Sequence, residues 1–215
     1  MFLYLLLNIG AVSIPFLYSF EKKMRFIQHW KAVLLSLTII ASIFLVWDAI
    51  FTANGVWGFN PNYHLNMLLL GMPIEEWLFF FCIPYASIFI HYSLAYFKPT
   101  ILLSEKATRF ITLLFIVSLL PVTIIHSDKA YTLVNYTLLI FILAIGLRYG
   151  ISILRRFYIA FLVILIPFFI VNGILTGTGI EAPVVWYNDA ENLGIRLGTI
   201  PIEDCLLYTS PSPRD

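Results

Sequence analysis

Two pairs of adjacent carboxylates have the types and setting to move protons. One is Glu75-Glu76, in Gly71-Met72-Pro73-Ile74-Glu75-Glu76-Trp77, and the other is Glu203-Asp204, in Thr199-Ile200-Pro201-Ile202-Glu203-Asp204. Apolar surroundings disfavour a charged carboxyl, and two close carboxyls disfavour each other's ionisation. Such a site holds one acid protonated and one ionised, which are the parts of general acid–base catalysis. No Lys or Arg lies within either motif. The bland alternative is that acids in a helix's first turn only complement the positive end of its dipole. Consecutive helix residues point about 100° apart. One acid of each pair is therefore expected to face the chemistry and the other to cap or hold it. The recurrence of Glu at the first position favours Glu75 and Glu203.

The elements that must position these acids are membrane spans. The 215-residue chain is 60% hydrophobic and 12% charged, against about 25% charged in soluble domains. Its mean hydropathy is +0.91. A net charge of +1 leaves no case for nucleic-acid binding. Cys82 and Cys205 form no metal spacing and no disulfide framework, and His29, His64, His91 and His126 are not spaced as metal ligands. No metal site is expected. Runs long enough to cross a bilayer are expected at 2–20, 33–53, 73–97, 110–125, 130–147 and 157–175. The first lacks the basic start and small-residue cleavage site of a signal peptide. Pro73 and Pro201 are expected at the first helical position, where no intrahelical N–H is lost. Asp48 falls near the end of the second run and reads as interfacial.

Lys and Arg assign the sides. Loops one–two, three–four and five–six hold 4, 3 and 3 of them; the loops between hold none, Lys129 alone and Arg196 alone. By the positive-inside rule the first set is cytoplasmic and both acidic motifs lie toward the extracytoplasmic side. After Asp204 the chain reads Cys205-Leu206-Leu207-Tyr208-Thr209-Ser210-Pro211-Ser212-Pro213-Arg214-Asp215. Two prolines and two serines do not continue a span. Residues 205–215 are expected to be an irregular, non-native tail that truncates the seventh span.

An internal repeat organises the rest. At an offset of 128, Pro73, Glu75 and Glu76 fall on Pro201, Glu203 and Asp204, and Phe59-Asn60 falls on Tyr187-Asn188. With a four-residue gap, Asp48-Ala49-Ile50-Phe51-Thr52 pairs with Asn172-Gly173-Ile174-Leu175-Thr176. Such self-similarity signals duplicated units. The expected fold is an all-α polytopic membrane helix bundle. Two parallel three-span repeats (1–97 and 130–204) are joined by a connecting span (98–129), since an odd-numbered unit must cross once more to repeat in the same orientation. The loops 54–72 and 176–200 are expected to meet on one face, with the two acid pairs approaching across a cleft.

A Pro-x-Glu-(Glu/Asp) motif in each of two three-span units, with aromatic-Asn upstream, resembles the heterodimeric-type lycopene cyclases. That family includes paired bacterial subunits, their fused bacterial and archaeal forms, and the cyclase half of the fungal cyclase/phytoene synthase. The match is carried by Trp57-Gly58-Phe59-Asn60 and 71–76 in the first unit. In the second it is carried by Gly173, Leu175-Thr176, Pro183-Val184-Val185, Tyr187-Asn188 and 196–204. The resemblance implies a cofactor-free isomerisation in a bacterial or archaeal cytoplasmic membrane, in which the ends of lycopene are cyclised. Its catalytic acids would be Glu75, Glu76, Glu203 and Asp204. Substrate would lie against Trp57, Phe59, Asn60, Trp77, Tyr187 and Asn188, although an Asn in a loop more often shapes the turn. The partners implied are lycopene, the lipid bilayer, and a homo-oligomer or carotenoid-enzyme complex.

Three other readings compete. A membrane prenyltransferase needs paired acid-rich Mg²⁺–diphosphate motifs, and Asp189-Ala190-Glu191 has no partner. A proton-coupled transporter or a carotenoid-binding protein would also suit parallel repeats with buried acids, but these runs carry few polar residues. An enzyme that hydrates or elongates the same end group would share the scaffold. No Gly-x-Gly-x-x-Gly follows a strand, so a flavin- or nicotinamide-dependent cyclase is not supported.

Overall fold

The computed structural model describes residues 2–207 and is mainly helical. Its helices are α1 (Leu3–Tyr18), α2 (Trp30–Ala53), α3 (Ile74–Phe97), α4 (Glu105–Ile125), α5 (Ala130–Tyr149), α6 (Ile151–Leu175) and α7 (Ile202–Leu207). A 3₁₀ turn, Phe26–His29, leads into α2. Helices α2 to α6 are long and apolar enough to cross a bilayer. At 16 residues, α1 rises about 24 Å, short of the roughly 30 Å hydrocarbon core. The first expected run therefore forms a shorter apolar helix, giving five spans of full length where six were expected.

The chain divides into two compact units. The first comprises 1–97 and 166–187, and the second 98–165 and 188–215. The end of α6 belongs to the first and its beginning to the second.

In the first unit α3 packs against α1 and α2. One core joins Phe26, Val33, Leu37, Tyr85 and Phe89, and another joins Tyr4, Leu175, Val184 and Val185. In the second unit α5 packs against α4 and α7 around Tyr136, Leu139, Leu143, Leu154 and Tyr158. The polarity is inverted relative to a soluble domain. Ile14, Ile43, Phe110, Ile124 and Leu162 are exposed, whereas Asn8, Asp48, Thr108, Thr112, Thr132 and Asn135 are buried. Lipid accepts the first group, while buried polar groups need internal partners. Thr112, for example, meets the Tyr158 hydroxyl at 2.7 Å.

Several helix starts differ from expectation. Helix α4 begins five residues before 110, because the Ser104 hydroxyl caps it by accepting from the Ala107 N–H, with Glu105 in the first turn. Helix α6 starts immediately after Gly150, so the basic residues Arg155 and Arg156 are helical rather than loop. The Arg155 guanidinium donates to the Leu103 carbonyl at 2.7 Å. The two prolines do not open helices: Pro73 and Pro201 are the last strand residues before α3 and α7.

The loops before the acidic motifs contain short antiparallel ladders. Strands β2 (Leu68–Leu69) and β3 (Met72–Pro73) pair as a hairpin, as do β5 (Arg196–Leu197) and β6 (Ile200–Pro201). The first turn has positive φ at Leu70 and Gly71 (53° and 79°), the signature of a type I′ connection. In the second turn Gly198 takes positive φ (67°). Strands β1 (Trp57–Phe59) and β4 (Val185–Tyr187) also pair, so loops 54–72 and 176–187 do meet, within the first unit. Helix α7 continues through Leu207 with Cys205 buried. Helical structure therefore extends past the expected break at 205, and the rest of the expected tail, 208–215, lies outside the described residues.

Candidate functional site

The first acid pair is fixed by its own hairpin and by α1. Glu75 is fully buried, and its Oε1 accepts from the Leu65 N–H at 2.8 Å. Its Oε2 is buried with no hydrogen-bond partner among the described residues. The Glu75 backbone carbonyl accepts from Asn8 Nδ2 at 2.8 Å. Glu76 is nearly buried, and its Oε2 accepts from the Tyr4 hydroxyl. Tyr4 and Asn8 lie four apart on α1, hence on one helix face.

The second pair is built by the same rules from α5. Glu203 is fully buried, and its Oε1 accepts from the Leu193 N–H at 2.8 Å. Its Oε2 likewise has no partner among the described residues. Asn135 Nδ2 donates to the Glu203 carbonyl at 3.1 Å, and the Tyr131 hydroxyl donates to Asp204 Oδ1. Backbone bonds recur as well: Ile74 to Met67 and Ile202 to Ile195, both 2.9 Å. So do Tyr4 to Tyr63 and Tyr131 to Glu191, at 3.1 and 2.9 Å.

Two differences separate the sites. The Thr132 hydroxyl also donates to Glu203 Oε1 at 2.7 Å, where the first site has Leu5. Near the first site Asp48 is 2% exposed and accepts from Trp57 Nε1 at 2.6 Å. Its carboxyl lies beside that of Glu76. Asp48 is thus an interior carboxyl and not an interfacial one.

The remaining sequence candidates separate by what they touch. Trp57 is buried on β1, within 6.1 Å of Tyr187 and 5.1 Å of Phe51 between ring centroids. Phe59 and Tyr187 each pack against the cluster of Tyr4, Leu175, Val184 and Val185. Trp77 donates to the Leu69 carbonyl at 3.2 Å, across the hairpin that precedes it. Asn60 and Asn188 both turn their side chains onto their own loops, accepting from the N–H of Asn62 and Ala190 at 3.1 Å each. His64 is a loop residue whose Nδ1 accepts from the Asn66 N–H at 3.0 Å. Asn192 does the same for Gly194 at 2.7 Å. Burial pushes the His64 imidazole below the usual histidine range, and the Glu75 carboxyl pulls it back the other way.

The sequence reading missed Tyr4, Asn8, Tyr131, Thr132 and Asn135. A signal for four of them exists: Tyr-x-x-x-Asn occurs at 4–8 and again 127 residues later, close to the 128-residue offset of the acids.

The lycopene cyclase family profile matches residues 1–94 and 128–210. The second matched stretch begins 127 residues after the first, at the spacing that relates the two tyrosines. No curated protein and no solved structure matches the chain. The profile covers most of the chain and contains every side chain of both acid sites. The chain belongs to the lycopene cyclase family, whose members are cyclase enzymes acting on carotenoids.

Proposed function

We propose that the protein is a lycopene β-cyclase that closes rings at the ψ end groups of lycopene by proton transfer alone. An acid adds a proton to the terminal double bond and leaves a tertiary cation. The next double bond attacks that cation and closes a six-membered ring, which carries the charge onward. Loss of a proton from the ring carbon bearing the polyene gives the β ring. One proton enters and one leaves, so the reaction is an isomerisation without net redox and calls for no cofactor.

The observation that carries this reading is the pair of half-satisfied carboxyls. Glu75 and Glu203 each have one oxygen fixed by a loop N–H and the other buried without a partner among the described residues. An unsatisfied buried polar atom is costly and rare, and it is a natural place to receive a proton. Glu76 and Asp204, each held by a tyrosine hydroxyl, are assigned as the acids. Trp57, Phe59, Trp77 and Tyr187 are assigned to the cation, which aromatic faces stabilise by about 0.5–2 kcal/mol each. Asn60 and Asn188 shape the loops that carry these rings.

The reading includes a duplicated architecture, with three-span halves at 1–97 and 130–204 and a connecting span at 98–129. The recurrent hydrogen bonds support it. So does the β1–β4 register, in which Trp57 faces Tyr187, Gly58 faces Trp186 and Phe59 faces Val185. The reading includes acids on the extracytoplasmic side of a bacterial or archaeal membrane, which the alternating Lys and Arg bias along the sequence supports.

The test is expression in lycopene-accumulating bacteria with separation of the pigments. β-Carotene and γ-carotene are expected from the wild-type protein. Glu75→Gln and Glu203→Gln should insert normally but lose about 10²–10⁴-fold in turnover. Unchanged lycopene would favour a binding or transport protein, and hydrated or elongated ends would favour a different end-group enzyme.

A further inference from the structure

The reaction as assigned uses four acids and leaves a fifth buried carboxyl without a role. Asp48 sits in the last two turns of α2, accepting through Oδ1 from Trp57 Nε1 at 2.6 Å and from the Thr52 hydroxyl at 3.4 Å. Its Oδ2 is buried and is reached by no N–H or hydroxyl donor among the described residues. The carboxyl beside it is that of Glu76, which the Tyr4 hydroxyl contacts at Oε2. Two carboxyl groups set side by side, one with an oxygen that no N–H or O–H reaches, leave a place for one proton between them. Like charges so close do not both ionise readily, and carboxyl dyads that share a proton are a recurrent way of keeping an acid loaded.

The corresponding position in α6 is occupied by Asn172. The correspondence is structural as well as sequential: Val56 N–H bonds the Phe51 carbonyl at 3.0 Å, and Val184 N–H bonds the Leu175 carbonyl at 2.8 Å. An amide at this place accepts hydrogen bonds as a carboxylate does but cannot hold the exchangeable acid proton.

Resting on the cyclase reading above, we infer that Asp48 is a positioning residue for proton donation, sharing one proton with Glu76 so that Glu76 enters each cycle as the loaded acid. On donation the Glu76 O–H bond breaks and a C–H bond forms at the inner carbon of the terminal double bond, which leaves the cation on the dimethyl-substituted carbon. The carboxylate left behind is reloaded by the proton removed from the ring.

Asp48→Asn tests this, because the amide oxygen can still accept from Trp57 and only the shared proton is lost. Purified wild-type and variant proteins would be compared in detergent with lycopene. Expected for the variant are a fall in kcat of about tenfold to hundredfold, toward the lower range for an acid–base group, an unchanged KM and a changed pH profile of kcat. Asp48→Glu should recover most of the activity. Infrared spectra of the substrate-free protein should show a protonated-carboxyl band that Asp48→Asn removes, whatever the reaction catalysed. Wild-type protein that leaves lycopene unchanged would overturn the cyclase reading and not the shared proton. Wild-type kcat and pH profile in Asp48→Asn, or an unaltered carboxyl band, would overturn the assignment of Asp48 alone. Should Asp48→Asn fail to accumulate, Trp57→Phe keeps the carboxyl and removes its 2.6 Å donor. A changed pH profile of kcat is then expected, and an unchanged one overturns the inference.

Discussion

Gly58 and Trp186 face each other at the centre of the β1–β4 ladder, and the indole ring lies directly over the glycine. A Cβ at Gly58 would come within 2.6 Å of Trp186 Cε2. The position therefore excludes any side chain while the ring stays where it is.

Gly58→Ala is expected to displace the indole. Trp186 is 44% exposed, so its ring can swing outward, and the cost should fall near the lower end of the roughly 1–3 kcal/mol typical of overpacking. Thermal unfolding would read the loss, and tryptophan emission in the folded variant should report a more solvated indole. Unchanged stability and emission would show that the ring does not need the space.

A second prediction concerns His64. Its folded-state affinity for a proton is lowered by burial, so the unfolded chain binds the proton more tightly. Stability from this group is then fully present above the ordinary histidine value of about 6.5 and falls as pH drops through it toward the folded value. His64→Asn should keep the loop, since Asn192 makes the same contact to the residue two ahead. It should also flatten the pH dependence of unfolding below neutrality. Urea titrations at a series of pH values would measure both.

These cases mark what could be seen in the chain and what could not. The five long helices follow from apolar run length, and the acid pairs follow from their 128-residue spacing. Tyr4 and Asn8 were hidden because a polar residue inside an apolar run looks like a tolerated interruption. Only the tertiary contact shows that Asn8 ends on the Glu75 carbonyl. The hairpins escaped for a different reason. Strands of two residues are shorter than any period, and Leu70 gives no warning of its positive φ. Asp48 looked interfacial because its position near a helix end says nothing of the Trp57 indole that folds back over it.

Activity is expected to survive treatment with EDTA and to need no added nicotinamide cofactor. The motive is the donor set itself. Each acid pair is bound by tyrosine hydroxyls and backbone N–H groups, which suits carboxyls exchanging protons with a hydrocarbon. Loss of cyclisation on chelation, restored by Mg²⁺, would move the assignment toward diphosphate chemistry.

The last prediction separates a catalytic use of the two tyrosines from a purely structural one. The Tyr4 and Tyr131 hydroxyls reach Glu76 and Asp204, while their rings are buried in the cores of their own units. Phenylalanine keeps the ring and removes only the hydroxyl. If the bond merely held the helix start, Tyr4→Phe and Tyr131→Phe would each cost about 0.5–1.5 kcal/mol of stability, as an ordinary hydrogen bond does, and the folded fraction would turn over normally. If the hydroxyl steadies the acid as it gives up its proton, the bond strengthens as charge develops. Bonds to charged groups contribute about 1.5–3 kcal/mol, and a loss confined to the transition state lowers kcat by roughly ten- to a hundredfold with KM unchanged. Turnover measured per folded molecule, with stability measured on the same preparations, distinguishes the two. Normal kcat in both variants would reduce the tyrosines to structural anchors. A fall in Tyr4→Phe alone would place the proton donor in the first acid pair, where Asp48 also lies.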